Sequence, residues 1–448
     1  MTRARRVPVR DPERDDRDSR LYYYWLLLAL FIEYARPASY FSFLNIPLIY
    51  SAIPLTLFVV SFSAKGLRPM SEIFGDPQAK WIPVFLFLIL ATLATADVSM
   101  YVTDIFKKVF GFAILGLLIA RIVINEARFR GVIMSLLVAH LFLLAMNPNV
   151  VMQPEARNYI MGATFLGDGN DFSMSLCIVI PAALAVALGA RTKFGKIFAW
   201  AGLGLSLLGL IATQSRGASL GLGAVLFYIW LLSPRKMLAL GGVAIAGLVV
   251  MLYAPPVYFQ RMGSISNFQT EGSAQGRIMA WKAGTRMALD NPLMGVGAGH
   301  FPIAFGTKYR PKNAEGVPWL TAHSSYFLVF GELGFPGIIV FLIIVLGNIR
   351  LNGKLRKFLD ARPPPLRPES HAYDRRLLIL TAGAAIGFAV AGAFLSAAYY
   401  PHVYILSGLL IAVRAIVAER AGVNPAHVLK PPPKSRRRGA ARTVSPPA

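Results

Sequence analysis

The chain is poor in charge. Of its 448 residues only 15% are Asp, Glu, Lys or Arg, against about 25% in an ordinary soluble domain. It has one cysteine, Cys177, which excludes a disulfide framework and a thiolate metal centre. Its six histidines, His140, His300, His323, His371, His402 and His427, are scattered. No two stand at the spacing that puts a pair of metal ligands on one helix face, so we expect no metal and no other cofactor. There is no internal repeat, and no Gly-Lys-Ser/Thr of the kind that ends a phosphate loop.

What the chain has instead is apolar sequence. Hydrophobic residues make up 55% of it, and the mean hydropathy is +0.54. A membrane-spanning helix needs about 20 mostly apolar residues. Runs near that length fall at 21–35, 43–63, 81–97, 108–123, 131–146, 173–190, 197–213, 217–232, 237–254, 323–347, 377–398 and 403–418. The expected fold is therefore all-α and polytopic, with about twelve transmembrane helices. The first run ends in Glu33-Tyr-Ala-Arg36-Pro37 without a small-x-small cleavage site, so it reads as a retained signal anchor.

Charge then sets the orientation, because Lys and Arg accumulate on the cytoplasmic side of a membrane protein. With the N-terminus inside, segments 1–20, 64–80, 121–130, 191–196, 233–236, 350–376 and 414–448 face the cytoplasm. They hold 34 of the 46 Lys and Arg and 12 of the 22 Asp and Glu, a net +22 of the chain's +24. Both termini are placed inside, in a cytoplasmic membrane. The bias accounts for the high pI without a nucleic-acid partner. Five regions follow: a basic N-terminus (1–20), nine spans (21–254), a long external loop (255–322), three spans (323–418) and a basic tail (419–448). The tail, with Lys430-Pro-Pro-Pro-Lys434-Ser-Arg436, cannot bury a core and is expected to be disordered beside anionic lipid.

Two external segments are too long for simple turns, 147–172 and 255–322; loops of that length tend to carry function. In the second, a helix-like stretch from about Ala274 to Leu289 is stopped by Asp290-Asn291-Pro292. A Gly295-Val-Gly297-Ala-Gly299-His300 run follows, which reads as a flexible turn with a solvated His300. We expect this loop to fold into a small helical cap.

Positive charge on the outer side is sparse and so informative. Arg216 lies in a short turn, Thr213-Gln-Ser-Arg216-Gly217, at the outer lipid boundary. Arg277 opens the loop helix, one turn ahead of Trp281 and on its face. The planar guanidinium fork suits phosphate oxygens, and two such arginines fit a lipid-linked pyrophosphate. The plainer readings are a snorkelling anchor for Arg216 and a solvated helix charge for Arg277. His323, with Ser324 and Tyr326 beside it, sits at the same boundary and is either a structural hydrogen-bonding group or a proton acceptor near neutral pH. Glu332 lies deeper in that run; an intramembrane carboxyl is a functional candidate, or it pairs with Arg216 or a Ser or Tyr hydroxyl. Asn170 or Asp171 is expected to cap the helix that follows, and His140 to be packed and hydrogen-bonded.

Four of these stretches together resemble a known family: Gly167-Asp-Gly-Asn170-Asp171-Phe172; Thr213-Gln-Ser-Arg216-Gly217; Gly276-Arg277 with Trp281, Asn291-Pro292 and Gly295-Val-Gly297-Ala-Gly299; and Ala322-His323-Ser-Ser-Tyr326 with Gly331-Glu332. Over roughly 160–345 the chain resembles the O-antigen ligase and polymerase superfamily, including O-glycosylation ligases found beside exosortase systems. The resemblance implies a GT-C-like, metal-independent, inverting glycosyltransferase of the bacterial inner membrane with a periplasmic site. Its donor would be a glycan on undecaprenyl pyrophosphate and its acceptor, in the ligase branch, the lipid A core. Arg216 and Arg277 match the arginines that hold pyrophosphate, and His323 the base; Trp281, Tyr326, Glu332 and Gly297 are supporting candidates. His323-Ser324 departs from the His-Asn of many members, which leaves the acceptor open. The alternatives are a polymerase of glycan repeat units, a protein O-oligosaccharyltransferase and, outside enzymes, a polysaccharide transporter or flippase.

Overall fold

The computed structural model describes residues 12–429 apart from 47, 157–158, 191, 264–271, 315 and 362–367. The tail expected to be disordered lies, from residue 430 on, outside the described residues. All regular structure among the described residues is helical. The principal helices are α1 (Arg20–Ala35), α2 (Ile49–Ser61), α3 (Trp81–Ala91), α4 (Ser99–Ile122), α5 (Glu126–Met146), α6 (Gly169–Gly189) and α7 (Lys193–Ala212). They continue with α8 (Arg216–Leu232), α9 (Lys236–Tyr253), α10 (Gly272–Asp290), α11 (Ser325–Asp360), α12 (Pro368–Ala391) and α13 (Pro401–Arg420). Each of the twelve apolar runs falls on one of these helices, and α10 is the helix of the long loop. Among the described residues eight helices are long and apolar enough to cross a membrane, and two shorter apolar ones cover Trp81–Ala94 and Arg216–Leu232.

Small residues set the closest packing, as expected where lipid supplies no hydrophobic drive between helices. A side chain at Gly387 of α12 would press on the Cys177 carbonyl of α6 at 2.6 Å. Gly221 of α8 faces Gly387 and the Cys177 sulfur, and the thiol donates to the Ala218 carbonyl at 3.2 Å. Cys177 is thus a small buried contact residue where α6, α8 and α12 meet.

The ends of the bundle differ. At one end α13 carries Arg414, fully buried. Its guanidinium grips Asp76 with two bonds, 2.7 and 3.1 Å, and also donates to Asn348 and Asn352 of α11 at 3.2 and 3.0 Å. Asn352 in turn donates to Thr381 of α12 at 3.1 Å. Buried charge is tolerated only when paired in this way. The same end holds Arg128 on Asp16 at 3.0 Å and Arg420 between Glu126 and Asp374, at 2.6 and 2.8 Å.

Removing one partner of a buried pair costs about 3–5 kcal/mol. Arg414→Met should therefore lower the thermal unfolding temperature of the detergent-purified protein sharply, and Arg414→Met with Asp76→Asn should recover part of the loss. Equal losses in the two variants would show that the pair is not coupled.

Candidate functional site

The other end of the bundle gathers the starts of α6, α8, α11 and α13 and the ends of α1, α5, α7 and α12. All the candidate residues singled out in the sequence lie there or on the loop that packs over it.

The site is built on a break in a helix. α11 runs for 36 residues but is interrupted at Gly334, whose φ and ψ are 65° and −160°. Pro336 has no N–H to offer the Glu332 carbonyl, and the kink turns the Phe335 N–H away from Gly331. The glycine-rich turn supplies the missing partners. Val296 and Gly297 donate to the carbonyls of Gly331 and Glu332 at 3.0 and 3.1 Å, and Phe335 donates to the Pro292 carbonyl at 2.9 Å. The Glu332 side chain, buried, completes the junction by accepting from the N–H groups of Gly299 and Phe301 at 2.9 and 2.8 Å. Gly295, at φ 63°, has backbone of Gly331 and Glu332 where a Cβ would stand.

Three expectations are corrected by this geometry. Glu332 pairs with neither Arg216 nor a Ser hydroxyl: its two oxygens accept from loop amides, and of the expected partners only a tyrosine hydroxyl, that of Tyr399, interacts with it. The glycine run is not a flexible turn, because it is docked on α11 along its length. His300 is not solvated: it is buried, its Nε2 accepts from the Val98 N–H at 3.0 Å, and it ties the turn to the segment before α4. A fourth correction concerns α6, which is capped neither by Asn170 nor by Asp171. The Asp168 carboxylate accepts from the Asn170 N–H at 2.7 Å. The capping rule admits Asp, Asn or Ser alike, so three such residues within four positions, Asp168, Asn170 and Asp171, left the choice open. His140 is packed as expected, with Nδ1 on the Leu136 carbonyl and Nε2 on Ser175, both at 2.7 Å.

His323 ends the loop. It is half-buried and has a left-handed backbone, φ 46°, which costs a non-glycine residue about 1–2 kcal/mol and persists only where neighbours hold it. They do so from both sides. The Trp281 indole N–H donates to the Ala322 carbonyl at 3.0 Å, and Trp281 stacks on Phe327, centroids 5.1 Å apart at 10°. Ser324 caps α11. Ser325 donates to the Leu395 carbonyl at 2.7 Å and accepts from the Ala397 N–H at 3.1 Å, and Thr321 bonds Ser396 at 3.1 Å. Burial, and then the Arg277 guanidinium, push the His323 imidazole below its ordinary 6.5, against an opposing pull from Asp168. His323, Arg277 and Asp168 therefore share one electrostatic neighbourhood.

Arg216 starts α8 behind the cap of Ser215. The turn ahead of it is fixed by Gln214, left-handed at φ 54°, whose amide donates to the Pro154 carbonyl at 2.6 Å. This pins the 147–172 segment to the Arg216 turn. Gly217 packs on Phe394, so the Arg216 turn and the His323 turn flank the same short segment, 392–397. Tyr326 is turned aside, its hydroxyl donating to the Ala389 carbonyl of α12 at 2.7 Å. Arg216 and Arg277 are both partly exposed. Among the described residues no three His, Cys, Asp or Glu side chains cluster as metal ligands.

Residues 201–342, which contain Arg216, Arg277, Trp281, His323 and Glu332, match the O-antigen ligase family. The chain carries an O-antigen ligase superfamily domain. Members of this family are membrane enzymes of ligase and polymerase type, and the O-antigen ligase domain here spans both turns and the loop between them. No curated protein matches the chain.

Sequence reasoning had no access to the residues that hold this O-antigen ligase domain in register. Phe327, Ser325 and Gln214 act through contacts across the bundle and carry no spacing signal. Gly334 and Pro336 do carry one, a glycine and a proline two apart inside an apolar run.

Glu332→Gln keeps the shape but turns an amide N–H toward a backbone donor. The loss of one or two buried hydrogen bonds costs about 1–3 kcal/mol. Amide hydrogen exchange over 295–301 should rise in this variant while the Arg414 end stays protected. Wild-type protection of 295–301 would show that the carboxyl is not the tether.

Proposed function

We propose that this protein is an inner-membrane glycosyltransferase of the O-antigen ligase kind. It transfers an oligo- or polysaccharide from undecaprenyl pyrophosphate to an acceptor hydroxyl, of the lipid A core, on the periplasmic side. The observation that carries this reading is His323: a half-buried imidazole on a left-handed backbone, within the electrostatic influence of Arg277 and inside the residues that match the O-antigen ligase family. The charge bias along the chain supports the orientation, with both termini cytoplasmic.

The chemistry requires three things of the protein. The acceptor hydroxyl loses its proton to His323 as its oxygen attacks the anomeric carbon of the donor sugar. The bond from that carbon to the pyrophosphate oxygen breaks with inversion, and undecaprenyl pyrophosphate leaves carrying the electron pair. Arg277 and Arg216 stabilise the charge that grows on the leaving group. Holding a lipid-borne donor and an acceptor together supplies much of the acceleration. The depressed imidazole pKa keeps His323 neutral, and so able to accept a proton, at neutral pH.

The transporter alternative gains nothing from Glu332, since both its oxygens accept from loop amides. A polymerase would share donor and site and differ in acceptor. A deletion strain that accumulates unattached long-chain lipid-linked polymer supports the ligase, whereas accumulation of single repeat units would point to polymerisation.

His323→Ala should lower transfer by about 10²–10⁴-fold, the range for a general base, with donor binding retained. Arg216→Ala and Arg277→Ala should weaken donor binding or slow the chemistry, and Lys should restore little at either position because it lacks the bidentate fork. Normal transfer by all three alanine variants in a purified assay would overturn the site.

The pH dependence follows from the same group. The active form of the base is the neutral one, so kcat/KM should fall as pH drops through the His323 pKa. Burial and Arg277 place that acidic limb below 6.5. A limb above 6.5, or one unchanged in Arg277→Ala, would contradict the assignment.

A further inference from the structure

Arg277 and His323 come from different elements, and one side chain bridges them. Trp281 stands four residues after Arg277 on α10, on the same face of that helix. Its indole N–H ends on the Ala322 carbonyl, the peptide that leads into His323. Its ring lies flat on Phe327, in the first turn of α11 just beyond His323. The helix and the turn come this close because Gly284, three positions past the bridge, has no room for a side chain against Phe301 and the Phe327 carbonyl. His323 itself sits in a left-handed conformation that a non-glycine residue keeps only when its surroundings over-determine it.

We infer that Trp281 is a positioning residue: through its indole N–H it couples the helix carrying Arg277 to the turn carrying His323, so that the bound donor and the base keep one register. The inference rests on the reading of His323 and Arg277 given above. Its physical content is narrow. The stacking on Phe327 is packing and tolerates any flat ring. The N–H bond is directional, and it holds the Ala322 carbonyl from the side of the loop helix, while Thr321 and Ser325 hold the turn from the side of 392–397. Without it the turn relaxes, the imidazole leaves its place beside Arg277, and the base is misaligned while the pyrophosphate contacts of the arginines survive.

The test uses the purified full-length protein with undecaprenyl-pyrophosphate-linked oligosaccharide as donor and lipid A core as acceptor. Trp281→Phe keeps a ring on Phe327 and loses the N–H. Replacing Trp281 by β-(3-benzothienyl)alanine removes only the N–H at constant shape, and so covers the case in which the phenylalanine variant does not fold. Either should lower kcat about 10- to 100-fold, the scale of a small misplacement at a reacting centre, with KM for the donor unchanged. Either should also move the acidic limb of the pH–rate profile up toward 6.5, as the imidazole leaves its buried place. A wild-type kcat and limb in the benzothienyl protein would overturn the inference. So would a kcat loss that follows a lowered unfolding temperature with the limb unmoved, since that is the behaviour of a packing residue. If His323→Ala transfers normally, the functional reading fails; if it is inactive while the benzothienyl protein is wild type, only the role of Trp281 fails.

Discussion

In hydrocarbon every backbone N–H and C=O must find a partner within the protein, and α11 breaks that rule at Gly334–Pro336. The rest of the candidate site depends on how the break is mended. The freed carbonyls of Gly331 and Glu332 are taken by Val296 and Gly297, and the freed Phe335 N–H by Pro292. A loop of nearly seventy residues is thereby fixed to one point of the bundle. Because α10 immediately precedes this junction and His323 lies two residues ahead of α11, fixing the junction also fixes the helix that carries Arg277 against the turn that carries His323. Glu332 spends its carboxyl on that junction, which explains an intramembrane acid without giving it a part in chemistry.

The two ends of the bundle use charge differently. At the Arg414 end, Arg414 and Arg128 are buried and matched to acids and amides; their work is to hold helices together. At the other end Arg216 and Arg277 are partly exposed; the Arg216 turn packs on the segment 392–397, and Arg277 acts on the His323 imidazole. Burial with matched partners is a structural use of arginine. Partial exposure beside a strained imidazole is the arrangement a site for an anionic ligand needs.

Much of this was legible in the sequence. The helices follow from runs of apolar residues with polar punctuation, and the loop helix from Asp290-Asn291-Pro292 as its stop. The charge bias and the positions of Arg216, Arg277 and His323 are visible without coordinates. What was hidden has one cause: it depends on contacts between residues far apart in the chain. Glu332 looked like a functional candidate because its partners, the amides of Gly299 and Phe301, are about thirty residues away. His300 looked solvated because nothing local shows that Val98 needs an acceptor. The glycine run looked flexible because three glycines in six residues signal freedom, whereas here their positive φ values let Gly295 lie on α11 and Gly297 and Gly299 lie against Ala96 and α4. Asp168 was passed over because Asn170 and Asp171 are equally good caps by composition.

The caps bear on the chemistry as well. Helix starts carry partial positive charge, and at this end α6, α8 and α11 all begin. α6 is capped by a carboxylate, Asp168, which cancels its field and lies near enough to His323 to draw its pKa upward. α8 and α11 are capped by the neutral hydroxyls of Ser215 and Ser324, at 3.4 and 3.5 Å, so their fields are left standing behind Arg216 and His323. On the proposed function this division has a reason. The field of α8 would add to Arg216 in stabilising a departing pyrophosphate, while burial and Arg277 keep His323 unprotonated. The base is then neutral when the acceptor arrives, and the opposing pull of Asp168 grows in value once the imidazole has taken the proton. One helix start capped by an acid and two capped by serine thus divide the labour between accepting a proton and releasing an anion.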